Sequence, residues 1–357
     1  MSPTPSPPAP AVARPRRAAA RRLAVPLALF ALLAGIVLSF GIGPLKVPPG
    51  DVLHAIGAQL GLVAPGDLGA RELSVVWNLR IPRALLGALV GASLALAGAS
   101  LQGLFGNPLA DPGIVGVTQG AALGAVAAIV LGFSAFGHWT IPLAAFAGGA
   151  LATTLIYFLA RPGRGEGTAT LLLVGIAIGA GCSAGIGLLT YIAQSNELQT
   201  LVFWQMGSLA RVGWSDLAAA APVFAVGVTA LLTMATPLDM LALGERQARH
   251  IGLDVRSARL RLIAFSALLV GSAVAFAGSI GFVGLVVPHV VRLIVGPGHR
   301  LLLPLSALLG ALLVVLADTA ARTLDPPSEI PLGLFTAALG APFFLWLVLR
   351  RKPRGAP

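Results

Sequence analysis

Charge is scarce in this sequence, and long stretches have none at all. Only 10% of the 357 residues are Asp, Glu, Lys or Arg. Residues 23–45, 84–110, 112–160, 167–196, 217–238, 262–291, 301–317 and 330–349 contain none of the four. A bilayer-spanning helix needs about 20 mostly apolar residues, so these runs define an integral membrane protein and exclude a soluble domain. Cysteine is nearly absent: the lone Cys182 permits no intrachain disulfide and says nothing of redox compartment. The only lysines are Lys46 and Lys352, and neither follows glycine, which excludes a P-loop for nucleotide phosphates. No carboxylate or lysine falls in the middle of a span, where ion-coupled carriers place their ionisable residues. The five histidines (His54, His138, His250, His289 and His299) form no i,i+3 or i,i+4 pair, so no structural metal site is expected. His289 follows Pro288; a hydrogen bond to a carbonyl freed by the proline explains it better than ligation.

What is present is apolar residue and glycine: 57% hydrophobic, with 44 glycines, many at spacings that let helices approach closely. Against that background Asp239–Arg261 stands apart. It is polar and helix-prone, and Arg246, Arg249, Arg256, Arg259 and Arg261 make it basic. Glu245 and Asp254 fall near expected helix starts, where a carboxylate favours the positive end of the dipole. Gly244 and Gly252 cut the segment into short pieces. A hydrophobic chain that keeps one such knob presents it to something soluble.

Taken in order, residues 1–22 read as a disordered basic tail. The first span, from Leu23 to Gly43, is retained rather than cleaved, because no small-x-small site follows it. Pro44–Leu79 forms a loop with an interfacial helix around Asp51–Leu60. The second helix starts near Arg80-Ile-Pro-Arg83 and ends at about Leu104. Phe105–Gly113, with two prolines, is a turn. Two helices fill 112–160, broken at Phe136–Pro142; then come the basic turn 161–167 and a Gly-rich fifth helix, about Thr168–Ala193. Gln194–Gly213 reads as interfacial, and the sixth helix spans about Asp216–Met234. The thirty uncharged residues from 262 to 291 fit a hairpin better than one overlong helix, because arginines flank both ends and Gly278–Gly284 can reverse the chain. Two more helices, about Leu301–Thr319 and Pro331–Leu349, bring the count to ten.

With both termini inside, eighteen of the 24 Lys and Arg lie on the cytoplasmic side and six outside, the bias expected of a multi-pass membrane protein. The net charge of +11 is thus an orientation signal, and nucleic acid is not needed to explain it. Gly91–Gly98 also aligns with Gly271–Gly278 at an offset of 180. The second and seventh helices run in opposite directions, which makes the halves inverted repeats, as in many transporters. The fold class is therefore all-α: a polytopic membrane protein of about ten transmembrane helices, with helices 2–5 repeated as 7–10. The domains are a tail (1–22), a transmembrane domain (23–350) whose cytoplasmic loop is 236–257, and a basic tail (351–357).

Arg80, Arg83 and Arg322 fall at the outer ends of the second and ninth helices. They serve either by snorkelling to headgroups or as a basic rim for an acidic partner. Asp318 and Arg322, at i,i+4, are placed to pair. Gly175, Gly179, Gly181, Cys182 and Gly185 on the fifth helix suit close packing, a dimer interface or the border of a solute path.

Six stretches in order resemble the permease subunits of type II ABC importers for iron chelates, haem and cobalamin. They are Asn78-Leu-Arg-Ile-Pro-Arg83, Leu101-Gln through Asn107-Pro-Leu-Ala-Asp-Pro112, Trp204-Gln-Met-Gly-Ser-Leu209, Leu243-Gly-Glu-Arg through Gly252, Gly281–His289, and Glu329-Ile-Pro-Leu-Gly through Gly340-Ala-Pro-Phe. The resemblance implies a homodimer in the bacterial inner membrane with the path between subunits, two cytoplasmic ATPase subunits and a periplasmic binding protein. No cofactor is expected on this chain; ATP and magnesium belong to the ATPase. Arg80, Arg83 and Arg322 match the basic residues that dock the binding protein's glutamates. Leu243, Gly244, Glu245, Arg246, Ala248, Arg249 and Gly252 match the loop that seats on the ATPase. The chain departs from the family pattern at Gly106 and Gly298, both on the cytoplasmic side, where polar or charged residues are usual. Gln102-Gly-Leu-Phe105, Gly116-Val with Gly120-Ala-Ala-Leu-Gly124, and Ala321-Arg-Thr are most similar to haem permeases.

Overall fold

The computed structural model describes residues 15–64, 69–160, 167–326 and 328–350. The expected tail up to Arg14, Asp67, nearly all of the basic turn after the fourth span, and the tail 351–357 lie outside the described residues. Among the described residues there is no strand. The helices are α1 (Pro15–Gly41), α2 (Pro49–Gln59), α3 (Ala70–Ser74), α4 (Ile81–Phe105), α5 (Val117–Val130), α6 (Thr140–Ala160), α7 (Gly167–Ile192), α8 (Ser195–Gln205), α9 (Trp214–Leu232), α10 (Ala235–Leu241), α11 (Glu245–His250), α12 (Val255–Ala277), α13 (Val283–Val295), α14 (His299–Ala321) and α15 (Leu332–Arg350). Seven spans among the described residues are long and apolar enough to cross a membrane, and α5, α13 and α15 supply three shorter apolar helices. These make up the ten that the charge-free runs require. The repeat is visible in helix lengths: α4 to α7 measure 25, 14, 21 and 26 residues, and α12 to α15 measure 23, 13, 23 and 19.

Several boundaries differ from the sequence reading. Helix α1 begins at Pro15 and takes in residues 15–22, assigned above to a disordered tail; the Arg- and Ala-rich run there has high helix propensity. The second span begins at Ala70 rather than near Arg80. Pro82 has no N–H, and the backbone around it widens into a π-turn over Val75–Arg80, with the Ile81 N–H reaching the Val76 carbonyl. The run 262–291 does divide, but unevenly: α12 ends at Gly278 (φ 68°), and Phe282 (φ 66°) caps α13. Phe282 is the one non-glycine at positive φ among the described residues.

Helix α4 is the centre of the bundle, packed on α9, α12, α13 and α14 and buried on every side, as a helix apolar all round must be. Its glycines set the spacing. A Cβ on Gly91 would sit 2.2 Å from the Gly310 carbonyl oxygen of α14, and one on Gly310 would sit 2.4 Å from that of Gly91. The two backbones therefore touch near the middle of both helices. Against α13, a Cβ on Gly98 would lie 1.9 Å from the Gly284 carbonyl oxygen. Pro288 has no N–H to offer that same carbonyl, and Gln102 Nε2 donates to it at 3.2 Å. Gln102 thus meets the carbonyl freed by the proline, and its Oε1 accepts from Arg292 at 3.1 Å.

Replacing Gly91 with Val forces α4 and α14 apart, at a cost of about 1–3 kcal/mol. The melting midpoint in detergent is expected to fall by several degrees. Gly50→Ala, at a site with nothing within 4 Å, is the matched control; equal midpoints for the two variants would contradict the close approach.

Candidate functional site

At one end of the bundle three helix ends converge: the last turn of α1, the start of α4 and the last turn of α14. The final carbonyls of α1 have no partner within their own helix. Arg80 Nη1 donates to Phe40 O at 2.8 Å and to Gly41 O at 3.1 Å, and its Nη2 donates to Leu45 O. Arg322 Nη2 donates to Ser39 O, and to Ser39 Oγ at 2.8 Å. Two cations thus cap the negative end of the α1 dipole. Burial pushes the Arg322 guanidinium down to about 10, with Asp318 opposing the shift; it remains charged at neutral pH.

Arg83 is held differently. Its Nε and Nη2 fork onto Asp318 at 2.9 and 2.8 Å, and its Nη1 and Nη2 fork onto Glu329 at 2.9 and 2.8 Å. The Asp318 carboxylate therefore accepts its hydrogen bonds from Arg83 across two helices and serves Arg322, four residues on, only as a nearby charge. The sequence carried a sign of this: Asp318 is a carboxylate at the end of an uncharged span, and a buried carboxylate requires a cation. Arg80, Arg83 and Arg322 are only 4, 8 and 4% exposed. All three are occupied by internal partners, and none projects as a free rim.

The polar segment lies where α14 begins, and so at the other end of that helix. Gly244 at φ 101° turns the chain between α10 and α11, and Asp254 Oδ1 accepts from Ser257 N to cap α12. Ala248 is buried, whereas Leu243, Arg246 and Arg249 are exposed and Gly252, at φ 90°, ends the short helix. Two ties hold the segment to the bundle, and neither was foreseen. Glu245, besides heading α11, pairs with buried Arg259 of α12 and more loosely with Arg249 at 3.6 Å. Asp239 Oδ1 accepts from His299 at both its backbone N (2.9 Å) and its Nδ1 (2.7 Å).

Between the two ends, a cavity of about 500 Å³ lies against α7. Gly175 and Gly179 line it with Thr118, Gln119 and the helix break at Ser279–Phe282. Asp111 also lines it; burial pushes its carboxyl up, opposed by the bond from Gly113 N. Gly181, Cys182 and Gly185 are not part of this wall. Gly181 faces open space, Cys182 is buried, and Gly185 packs near Leu123.

Among the described residues, ten apolar helices, with a cavity between α4, α5, α7, α12 and α13 and a charged segment anchored at one end, give the architecture of a polytopic membrane protein. The model of the FecCD transport family matches residues 31–350, and the chain belongs to that family, whose members are permeases of ABC importers. It is 47% identical to the hemin transport system permease HmuU of Yersinia pestis over 281 residues, 78% of this chain and 84% of that one. To the cobalamin import system permease BtuC of Halobacterium salinarum it is 42% identical over 338 residues, 94% of this chain and 88% of that one. Its fold is similar to a metal-chelate type ABC transporter solved in an inward-facing conformation. The TM-score is 0.80 at 34% identity, covering 91% of this chain and 98% of that one.

Removing Arg83 leaves the buried Asp318 carboxylate uncompensated, whereas removing Asp318 leaves Arg83 paired with Glu329. Arg83→Met is expected to cost about 3–5 kcal/mol, read as a lowered melting midpoint, and Asp318→Leu less. The double variant Arg83→Met with Asp318→Leu should cost clearly less than the two single changes added together. Additive losses would show that the pair does not act as a unit.

Proposed function

We propose that this chain is the permease of an ATP-driven importer that carries haem from a periplasmic binding protein to the cytoplasm by alternating access. Two copies enclose the path, with the α7 wall at Gly175 and Gly179 facing it and Gly181, which faces open space, toward the second copy. Two ATPase subunits grip the 236–257 loop through exposed Leu243, Arg246 and Arg249. Glu245 and Ala248 hold that loop in shape, and Gly244 and Gly252 bound it. Both termini are cytoplasmic, in a bacterial inner membrane. Haem rests on one observation above the others, the 47% identity to a named hemin permease. A cobalamin reading is favoured instead by the longer match, 94% of this chain, to a named cobalamin permease.

At the periplasmic end, the binding protein's carboxylates dock over the Arg80–Arg83–Arg322 cluster. Its three cations outnumber the two carboxylates, Asp318 and Glu329, that it contains. The cluster therefore keeps a positive field that favours acidic partners and their on-rate.

Substrate is decided by uptake into proteoliposomes that hold the permease, its ATPase and its binding protein, supplied with ATP and equal concentrations of haemin, cyanocobalamin and a ferric hydroxamate. Haemin accumulation that the other two do not reduce is expected. Accumulation of cyanocobalamin in place of haemin would replace the first reading with the second.

A further inference from the structure

The charged loop is fastened to the helices that it has to move by a joint built on one histidine. His299 is the first residue of α14 and only 5% exposed. The residue before it, Gly298, has no side chain with which to cap the helix. The missing cap comes from another element: Asp239 of α10 accepts the His299 backbone N–H at 2.9 Å, placing a carboxylate at the positive end of the α14 dipole. The same oxygen lies 2.7 Å from His299 Nδ1. A carboxylate only accepts, so Nδ1 carries the proton.

The far side of the ring meets α4. Nε2 has no hydrogen-bond partner among the described residues. It occupies the space that a side chain at position 103 would fill: a Cβ on Gly103 would lie 2.5 Å from Nε2 and 3.0 Å from Leu238 of α10. One imidazole is thus wedged between α4, α10 and α14. Those two long helices are in backbone contact at Gly91 and Gly310, and are clamped again at their opposite ends by Arg83 and Asp318. Joined at three levels, they form a strut that runs the length of the bundle.

The geometry points to His299 as a positioning residue for coupling: through Asp239 and Gly103 it converts movement of the cytoplasmic loop into movement of the α4–α14 strut, and so links the ATPase face to the binding-protein face. This rests on the assignment of 236–257 as the ATPase seat, but not on the identity of the solute.

The test uses the full transporter in nanodiscs and the unloaded binding protein as probe, and reads the ratio of stimulated to basal ATP hydrolysis. His299→Ala and Asp239→Ala should each reduce that ratio by about fivefold or more, with the ATPase still bound. His299→Asn, whose amide can donate to Asp239 from nearly the position of Nδ1, should restore most of it. If His299→Ala does not assemble, Asp239→Ala carries the same expectation, because its carboxylate is partly exposed and its loss leaves the α4 wedge in place. A ratio equal to wild type in either alanine variant overturns the proposal. So does a lowered melting midpoint with an unchanged ratio, which would make the histidine structural only. Arg246→Glu separates the two assignments: it should release the ATPase on purification, and retention would remove the loop assignment and this inference with it.

Discussion

A guanidinium within an apolar bundle is costly unless its donors are met, and Arg83 meets them with two carboxylates from different parts of the chain. Desolvating each ion costs on the order of several kcal/mol. The bidentate forks to Asp318 and Glu329 offset that cost only in one geometry, because a planar guanidinium donates only within its plane. The clamp therefore acts more as a register device than as a source of stability. It sets how far α14 slides along α4 and fixes the segment after α14 through Glu329. Arg80 and Arg322, spent on the last carbonyls of α1, bring the first span to the same point. The start of α4 is where these constraints meet, which agrees with α4 being buried on all sides.

The same helix explains how a chain with so few polar groups can define two working faces. Glycines let α4 and α14 touch, so the pair is stiff in its middle as well as at both ends. Helix α7, by contrast, is the least buried of the long spans and borders the cavity. In the alternating-access cycle proposed above, α4 and α14 are the part that transmits, and α7, beside the cavity, is the part that opens and closes.

Much of the fold was legible because spans are written in uninterrupted apolar runs. The ten helices, the break after Gly278 and the helical pieces either side of Gly244 follow from run length and turn residues. The basic knob was legible for the same reason, since it interrupts those runs. What could not be read was partnership. Charge scarcity places Arg83, Asp318 and Glu329 near span ends, but pairing across 235 and 246 residues is a matter of helix packing. The i,i+4 spacing of Asp318 and Arg322 gave a neighbouring charge, but the hydrogen bonds that the Asp318 carboxylate accepts come from Arg83. The π-turn before Pro82 was hidden too, because the usual reading of such a proline is a helix start. Asp239 looked like one more charge on a solvated segment until the backbone placed it over the first turn of α14. Gln102 gave no sign at all; its role depends on which carbonyl Pro288 releases and which helix faces it.

The central claim is that α4 and α14 move as one body between the loop and the far end of the bundle. It can be tested with paired spin labels, starting from a Cys182→Ser background that removes the only native thiol. Labels at Leu79 and Leu324 report the clamped end, and labels at Leu109 and Arg300 the end near His299; all four positions are exposed. A label on exposed Leu188 of α7 paired with Leu324 provides the contrast. Between nucleotide-free and ATP-trapped transporter, both α4–α14 distance distributions should remain superimposable while the α7 distance shifts. A shift within the α4–α14 pairs as large as that of α7 would contradict the account.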